Sequence, residues 1–160
     1  MAQIYISVGS NANRDYHIRA AITALTNAFG ELTLSSVYES DAVGFSGDAF
    51  YNMVIGAETV LSVADCVALF KSIEDANGRI RSGEKFSGRT LDLDLLTYDS
   101  LVCQTPVELP RAEILFNAFV LWPLAEIAPE VCHPVTGQPY AVLWQNYQST
   151  QRIWPIEFQF

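Results

Sequence analysis

The spacing of apolar residues changes several times along the first hundred positions, and that rhythm limits the folds open to the chain. Ile4, Ile6 and Val8 alternate with Tyr5 and Ser7, the two-residue period of a half-buried strand ending at Gly9. Over 15–29 the period lengthens: Ile18, Ala21, Ile22, Leu25 and Phe29 fall at helical spacing, and Gly30 supplies a stop. Leu32, Leu34, Val37 and Tyr38 predict a second strand. Residues 40–48, with Gly44 and Gly47, predict a loop, and 50–59 a third strand. Ser62 followed by Asp65 has the form of a capping box. The helix it opens carries Val63, Val67, Phe70 and Ile73 on one face and ends at Gly78. A strand over 90–98 comes next. Beyond it Pro106, Pro110, Pro123, Pro129, Pro134 and Pro139 punctuate the chain and leave room for short helices over 117–127 and 140–147.

Strand, helix, strand, strand, helix, strand is the ferredoxin-like order. It predicts an α+β fold in which helices pack on an antiparallel sheet, here with additional C-terminal strands and helices. With 160 residues and no visible linker or repeat, one domain spanning 1–160 is expected. Half the residues are hydrophobic and only 17% charged, which favours a buried core over disorder. The opening residues have no basic region, and no apolar run approaches the length of a membrane span. Cys66, Cys103 and Cys132 are odd in number and widely spaced, so they fit neither a disulfide framework nor a zinc site. A cytoplasmic monomer is the expectation.

The net charge of −9 disfavours nucleic acid as a partner, because such binding draws on Lys and Arg contacts to phosphate. Against that background the segment 78–99, GRIRSGEKFSGRTLDLDLLTYD, stands out. It holds Arg79, Arg81, Lys85 and Arg89, four of the nine basic residues, and then places Asp92 and Asp94 directly after them. On a strand, residues two apart share a face, so the two carboxylates lie side by side while Leu91, Leu93 and Leu95 point to the core. Adjacent carboxylates repel unless a cation lies between them, and hard oxygen ligands suit Mg²⁺. Arginine forks suit phosphate oxygens. Taken singly, an Asp-x-Asp strand is an ordinary solvated face and a basic loop an ordinary loop. Their contiguity in an acidic chain raises metal-assisted phosphoryl transfer to an equal footing with that plainer reading. A ferredoxin-like module binding a small regulatory ligand is the non-enzymatic alternative.

Arg89-Thr90-Leu91-Asp92-Leu93-Asp94-Leu95, with Phe119-Val120-Leu121-Trp122-Pro123-Leu124 and Glu126-Ile127-Ala128-Pro129 downstream, closely resembles the 6-hydroxymethyl-7,8-dihydropterin pyrophosphokinases. The resemblance runs from Val8-Gly9-Ser10-Asn11 to about Trp144. It implies transfer of diphosphate from ATP to the pterin hydroxymethyl group in folate biosynthesis, with AMP released, ATP as co-substrate and two Mg²⁺ ions held by Asp92 and Asp94. It also implies that Arg79 and Arg89 join the two aspartates in catalysis. Lys71, Glu74, Arg79, Arg81, Arg89, Leu95 and Arg111 would lie along the nucleotide, and Ser40, Val43, Phe50, Asn52, Phe86 and Phe119 along the pterin. No residue stands out as a general base.

The chain departs from the family pattern at several of these places. Phe86 stands where Trp is usual, Arg111 where His is usual, Ala112 where an aromatic is common, and Asn117 where Arg is expected. Phe50 replaces a Tyr, and Ser40-Asp41-Ala42 replaces a Thr-Pro-Pro-like turn. A paralogue that binds pterin or nucleotide with lost or altered activity is therefore the second alternative.

Overall fold

The computed structural model describes residues 1–40, 49–78, 91–148 and 150–160. Strand β1 (Ala2–Ser10) lies near the middle of a six-stranded sheet, with Ile4, Ile6 and Val8 fully buried on one face as their alternation requires. It pairs antiparallel with β4 (Phe50–Thr59) on one side and β5 (Asp92–Tyr98) on the other. Strands β2 (Thr33–Leu34) and β3 (Val37–Ser40) both pair with β4, and β6 (Ile153–Ile156) closes the far end against β3. The order is β5-β1-β4-β3-β6, with β2 off this path.

Helices α1 (Arg14–Phe29) and α2 (Val63–Ala76) cover one face. Ile18, Ala21 and Leu25 from the first, and Cys66, Phe70 and Ile73 from the second, meet the inward residues of β1, β4 and β5. Ser62 caps α2 as its sequence predicts, its Oγ accepting the Asp65 amide at 3.1 Å. Gly30 ends α1 at φ 81°, a conformation that disfavours a side chain. The opposite face is closed by α3 (Ala118–Ile127) and α4 (Tyr140–Gln145), packed on Val54 and Leu96. Leu95 and Leu96, as neighbours on a strand, reach opposite faces, next to the irregularity where the β1–β5 register shifts. The two C-terminal helices are joined by stacked rings, with Trp122 and Trp144 at 5.0 Å and 17°.

The single strand expected around 32–38 is two short ones, for a specific reason. Side-chain bonds interrupt the ladder at Ser35 and Ser36: the Ser35 amide still donates to Val54 O at 3.0 Å, but the Val54 amide donates to Ser35 Oγ at 2.9 Å, and both the amide and hydroxyl of Ser36 donate to the Glu126 carboxylate. The same carboxylate accepts the Tyr38 hydroxyl at 2.6 Å, and burial together with that carboxylate holds the Tyr38 phenol far above its ordinary pKa. The acidic strand begins at Asp92, later than the expected 90, and the last helix stops at Gln145. No helix among the described residues is long and apolar enough to cross a membrane.

His133 fastens the turn after α3. Its ring is buried, and Nδ1 accepts the amides of Val135 and Thr136, each at 3.1 Å. Burial lowers its pKa, so the folded state keeps the ring neutral at pH values where the unfolded chain already charges it. The His133 share of stability is then complete above the unfolded value of about 6.5 and is lost as pH falls from there toward the folded pKa. The thermal midpoint of His133→Asn is expected to fall less between pH 7.5 and 5.5 than that of the parent. Equal pH slopes in the two melting series would refute the assignment.

Candidate active site

Strand β5 is the outermost strand at its end of the sheet, and its partly exposed residues are the two carboxylates and, at its far end, Tyr98. Asp92 and Asp94 alternate with buried Leu91, Leu93 and Leu95 and share one face, as the two-residue period requires. Both line a cavity of about 380 Å³, together with Lys71 and Glu74 of α2, Leu95, and Arg111 from the loop that follows the strand.

Two side chains fix this corner. Glu74 is only 7% exposed, and its Oε2 accepts the amide of Leu93, the residue between the aspartates, at 2.8 Å. The helix thereby supplies an acceptor at an edge where, among the described residues, no further strand pairs with β5. Arg111 donates from Nη2 to Asp94 Oδ1 at 2.6 Å, a short charge-assisted contact between half-exposed groups. Its backbone amide bonds Leu96 O at 2.9 Å, and the paired backbone of Cys103 and Leu109 shapes the loop that carries it.

The strand register links this corner to the residues expected at the pterin. Asp92 lies opposite Gly9, Gly9 opposite Asn52, and Asn52 opposite Tyr38, so all four occupy one row on one face. Strands are spaced by about 4.8 Å, which places Asn52 roughly 10 Å across the sheet from Asp92. Between them is a glycine. A Cβ on Gly9 would stand 3.1 Å from Asn52 Oδ1 and 4.0 Å from the Phe50 ring, so the row is tightly packed at this point and leaves little room for a side chain there. Asn52 is buried and its Nδ2 donates to Ser40 Oγ at 3.0 Å. Phe50 is half-buried on β4, and Phe119 is half-buried on α3 against the cluster that covers this same face.

The structure therefore brings Lys71, Glu74, Asp92, Asp94, Leu95 and Arg111 together around one cavity, with Ser40 and Asn52 bonded to each other farther along the face. Arg79, Arg81, Arg89, Val43 and Phe86 lie outside the described residues. Asn117, which stands in place of an expected arginine, is tied to the C-terminal segment: its Oδ1 accepts from Gln151 Nε2 at 3.1 Å. Gly9 and the tether made by Glu74 are features the sequence reading did not assign. For Glu74 a signal existed, since Cys66, Phe70 and Glu74 are four apart and carry a carboxylate onto the buried stripe of α2.

The donor set fits magnesium. Among the described residues no group of three or more His, Cys, Asp or Glu could hold a metal, so the set is the half-exposed aspartate pair. Mg²⁺ favours one or two carboxylates and completes its shell with water and phosphate oxygens. The Arg111 cation on Asp94 shows that this carboxylate is open to a cationic partner.

The sequence pattern described as 7,8-dihydro-6-hydroxymethylpterin-pyrophosphokinase matches residues 5–129. A 2-amino-4-hydroxy-6-hydroxymethyldihydropteridine pyrophosphokinase from Aquifex aeolicus is 34% identical over 142 residues, 87% of this chain and 88% of that one. The protein of the same name from Bacillus subtilis is 35% identical over 156 residues, 94% and 89% of the two chains. Among solved structures, Plasmodium falciparum HPPK-DHPS superposes with a TM-score of 0.73 at 12% identity, over 92% of this chain. The chain spans 44% of that longer protein, and at such identity the likeness speaks for the fold alone.

Proposed function

Since the chain belongs to the 7,8-dihydro-6-hydroxymethylpterin-pyrophosphokinase family, we propose that it transfers the β,γ-diphosphate of ATP to 6-hydroxymethyl-7,8-dihydropterin in folate biosynthesis, releasing AMP. The observation that carries this reading is the pair Asp92 and Asp94 lining one cavity with Lys71 and Arg111, in register across Gly9 with the buried amide of Asn52. Polyphosphate lies in the cavity beside the aspartates, and the flat heterocycle lies toward Asn52 and Phe119. The hydroxymethyl group then points back along the row toward the β-phosphorus.

In the reaction the pterin hydroxyl oxygen forms a bond to the β-phosphorus while the α,β-bridging bond breaks. Its electron pair stays with AMP, and the hydroxyl proton passes to solvent. Asp92 and Asp94 are the residues that would hold two Mg²⁺ ions, which when bound neutralise phosphate charge and align the chain of phosphates. Lys71 and Arg111 add positive charge at the cavity wall, and Arg79, Arg81 and Arg89 occupy the sequence positions of the family's phosphate-contacting arginines. Glu74 acts one step removed, by holding the strand that presents both carboxylates. Catalysis is mainly positioning and charge neutralisation, since no covalent intermediate is needed.

Steady-state AMP formation from ATP, Mg²⁺ and the pterin alcohol tests the reading. Absence of AMP from a folded protein that still binds both substrates would favour a paralogue of altered activity. Asn52→Ala is expected to raise the KM for the pterin by about tenfold or more, with the affinity for an ATP analogue unchanged. A parallel loss of nucleotide affinity would remove Asn52 from the pterin side.

A further inference from the structure

Arg111 is placed in an unusual position for a residue at a polyphosphate site, because it is bonded to the carboxylate expected to hold metal. Its Nη2 lies 2.6 Å from Asp94 Oδ1, while its Nε is shut from water and has no hydrogen-bond partner among the described residues. The guanidinium thus satisfies the acid well and itself poorly. The Arg111 amide is fixed to Leu96 O, so a change of partner requires rotation of the side chain only. The cavity it would rotate into also contains Lys71 and both aspartates.

We propose that Arg111 is an internal stand-in for the metal: it occupies Asp94 while the site is metal-free and turns to polyphosphate once a divalent cation takes the carboxylate. This rests on the diphosphotransfer reading above, and it makes Arg111 a nucleotide-binding residue whose partner depends on the metal. The guanidinium offers Asp94 one charge, whereas a divalent ion offers two. Displacing Arg111 without polyphosphate leaves its planar fork without an anion; with polyphosphate present the fork gains bidentate oxygens. Metal alone therefore binds against the ion pair, and metal with nucleotide binds with its help. Linkage makes the effect mutual, so nucleotide tightens metal by the factor by which metal tightens nucleotide.

The test is calorimetric titration of the full chain with Mg²⁺, alone and with α,β-methylene-ATP, for the parent and Arg111→Met. The variant is expected to bind Mg²⁺ alone about three- to tenfold more tightly than the parent, because the competing cation is gone. The tightening of Mg²⁺ by the analogue should shrink in the same variant. Arg111→Gln serves the same comparison if the methionine variant does not fold, and Arg111→Lys, which keeps the charge, should lie nearer the parent. A merely structural arginine would move metal affinity in the two conditions equally. Unchanged or weaker binding of Mg²⁺ alone in the variant overturns the inference and leaves the enzyme reading standing. If neither protein takes up Mg²⁺, the inference falls together with the metal role of Asp92 and Asp94.

Discussion

Asp94→Asn is expected to lower AMP formation by about a thousandfold or more while leaving the fold in place. The side chain is 40% exposed, so its substitution opens no cavity, and the amide oxygen can still accept from Arg111. The half-exposed ion pair that is weakened contributes at most about 1 kcal/mol to stability. The reaction is expected to lose far more, since one of the two carboxylates proposed to hold metal no longer carries charge. Turnover should collapse with the circular dichroism spectrum unchanged and the thermal midpoint within a few degrees of the parent. A folded variant retaining more than a tenth of parental kcat would show that this carboxylate has another purpose.

The second large effect belongs to Glu74, a residue whose sequence role was at the nucleotide and whose position also suggests a structural one. Glu74→Ala removes the acceptor of the Leu93 amide and leaves that group buried without a partner, at a cost of about 2 kcal/mol. For a chain of this size that corresponds to a drop of about 4–8 °C in the thermal midpoint. Activity should fall in the surviving folded protein as well, because Leu93 lies between the two aspartates and the strand there loses its tether to α2. Glu74→Gln keeps an oxygen able to accept the same bond and should recover most of the stability. Urea melts of the three proteins decide the matter: if the alanine and glutamine variants are equally stable, the hydrogen bond is not what Glu74 contributes.

Much of the architecture was legible because single elements carried strong periodic signals. Ile4, Ile6 and Val8 announced β1, the spacing of Ile18, Ala21 and Leu25 announced α1, and Ser62 marked the start of α2. The side-by-side placement of Asp92 and Asp94 followed from the pleat of a strand. What escaped depended on residues distant in sequence. The break at Ser35 and Ser36 needs the carboxylate of Glu126, some ninety positions away. Strand β6 is four residues long and contains Pro155, which argues against a strand unless it sits at an edge, as it does. The pairing of Arg111 with Asp94 depends on a loop closed by the backbone of Cys103 and Leu109. Asn52 and Phe119 became candidates only through resemblance, since a buried amide and a half-buried ring are common in any core.

The two rims of the sheet have a consequence beyond catalysis. At one rim Pro155 has no amide hydrogen to offer an approaching backbone; at the other, the Leu93 amide and the Leu96 carbonyl are already engaged from within the chain. A foreign strand trying to extend the ladder finds its docking points blunted on both sides. The same local bonds that aim the acidic pair thus also discourage fibrous growth, a safeguard that comes at no separate expense in sequence.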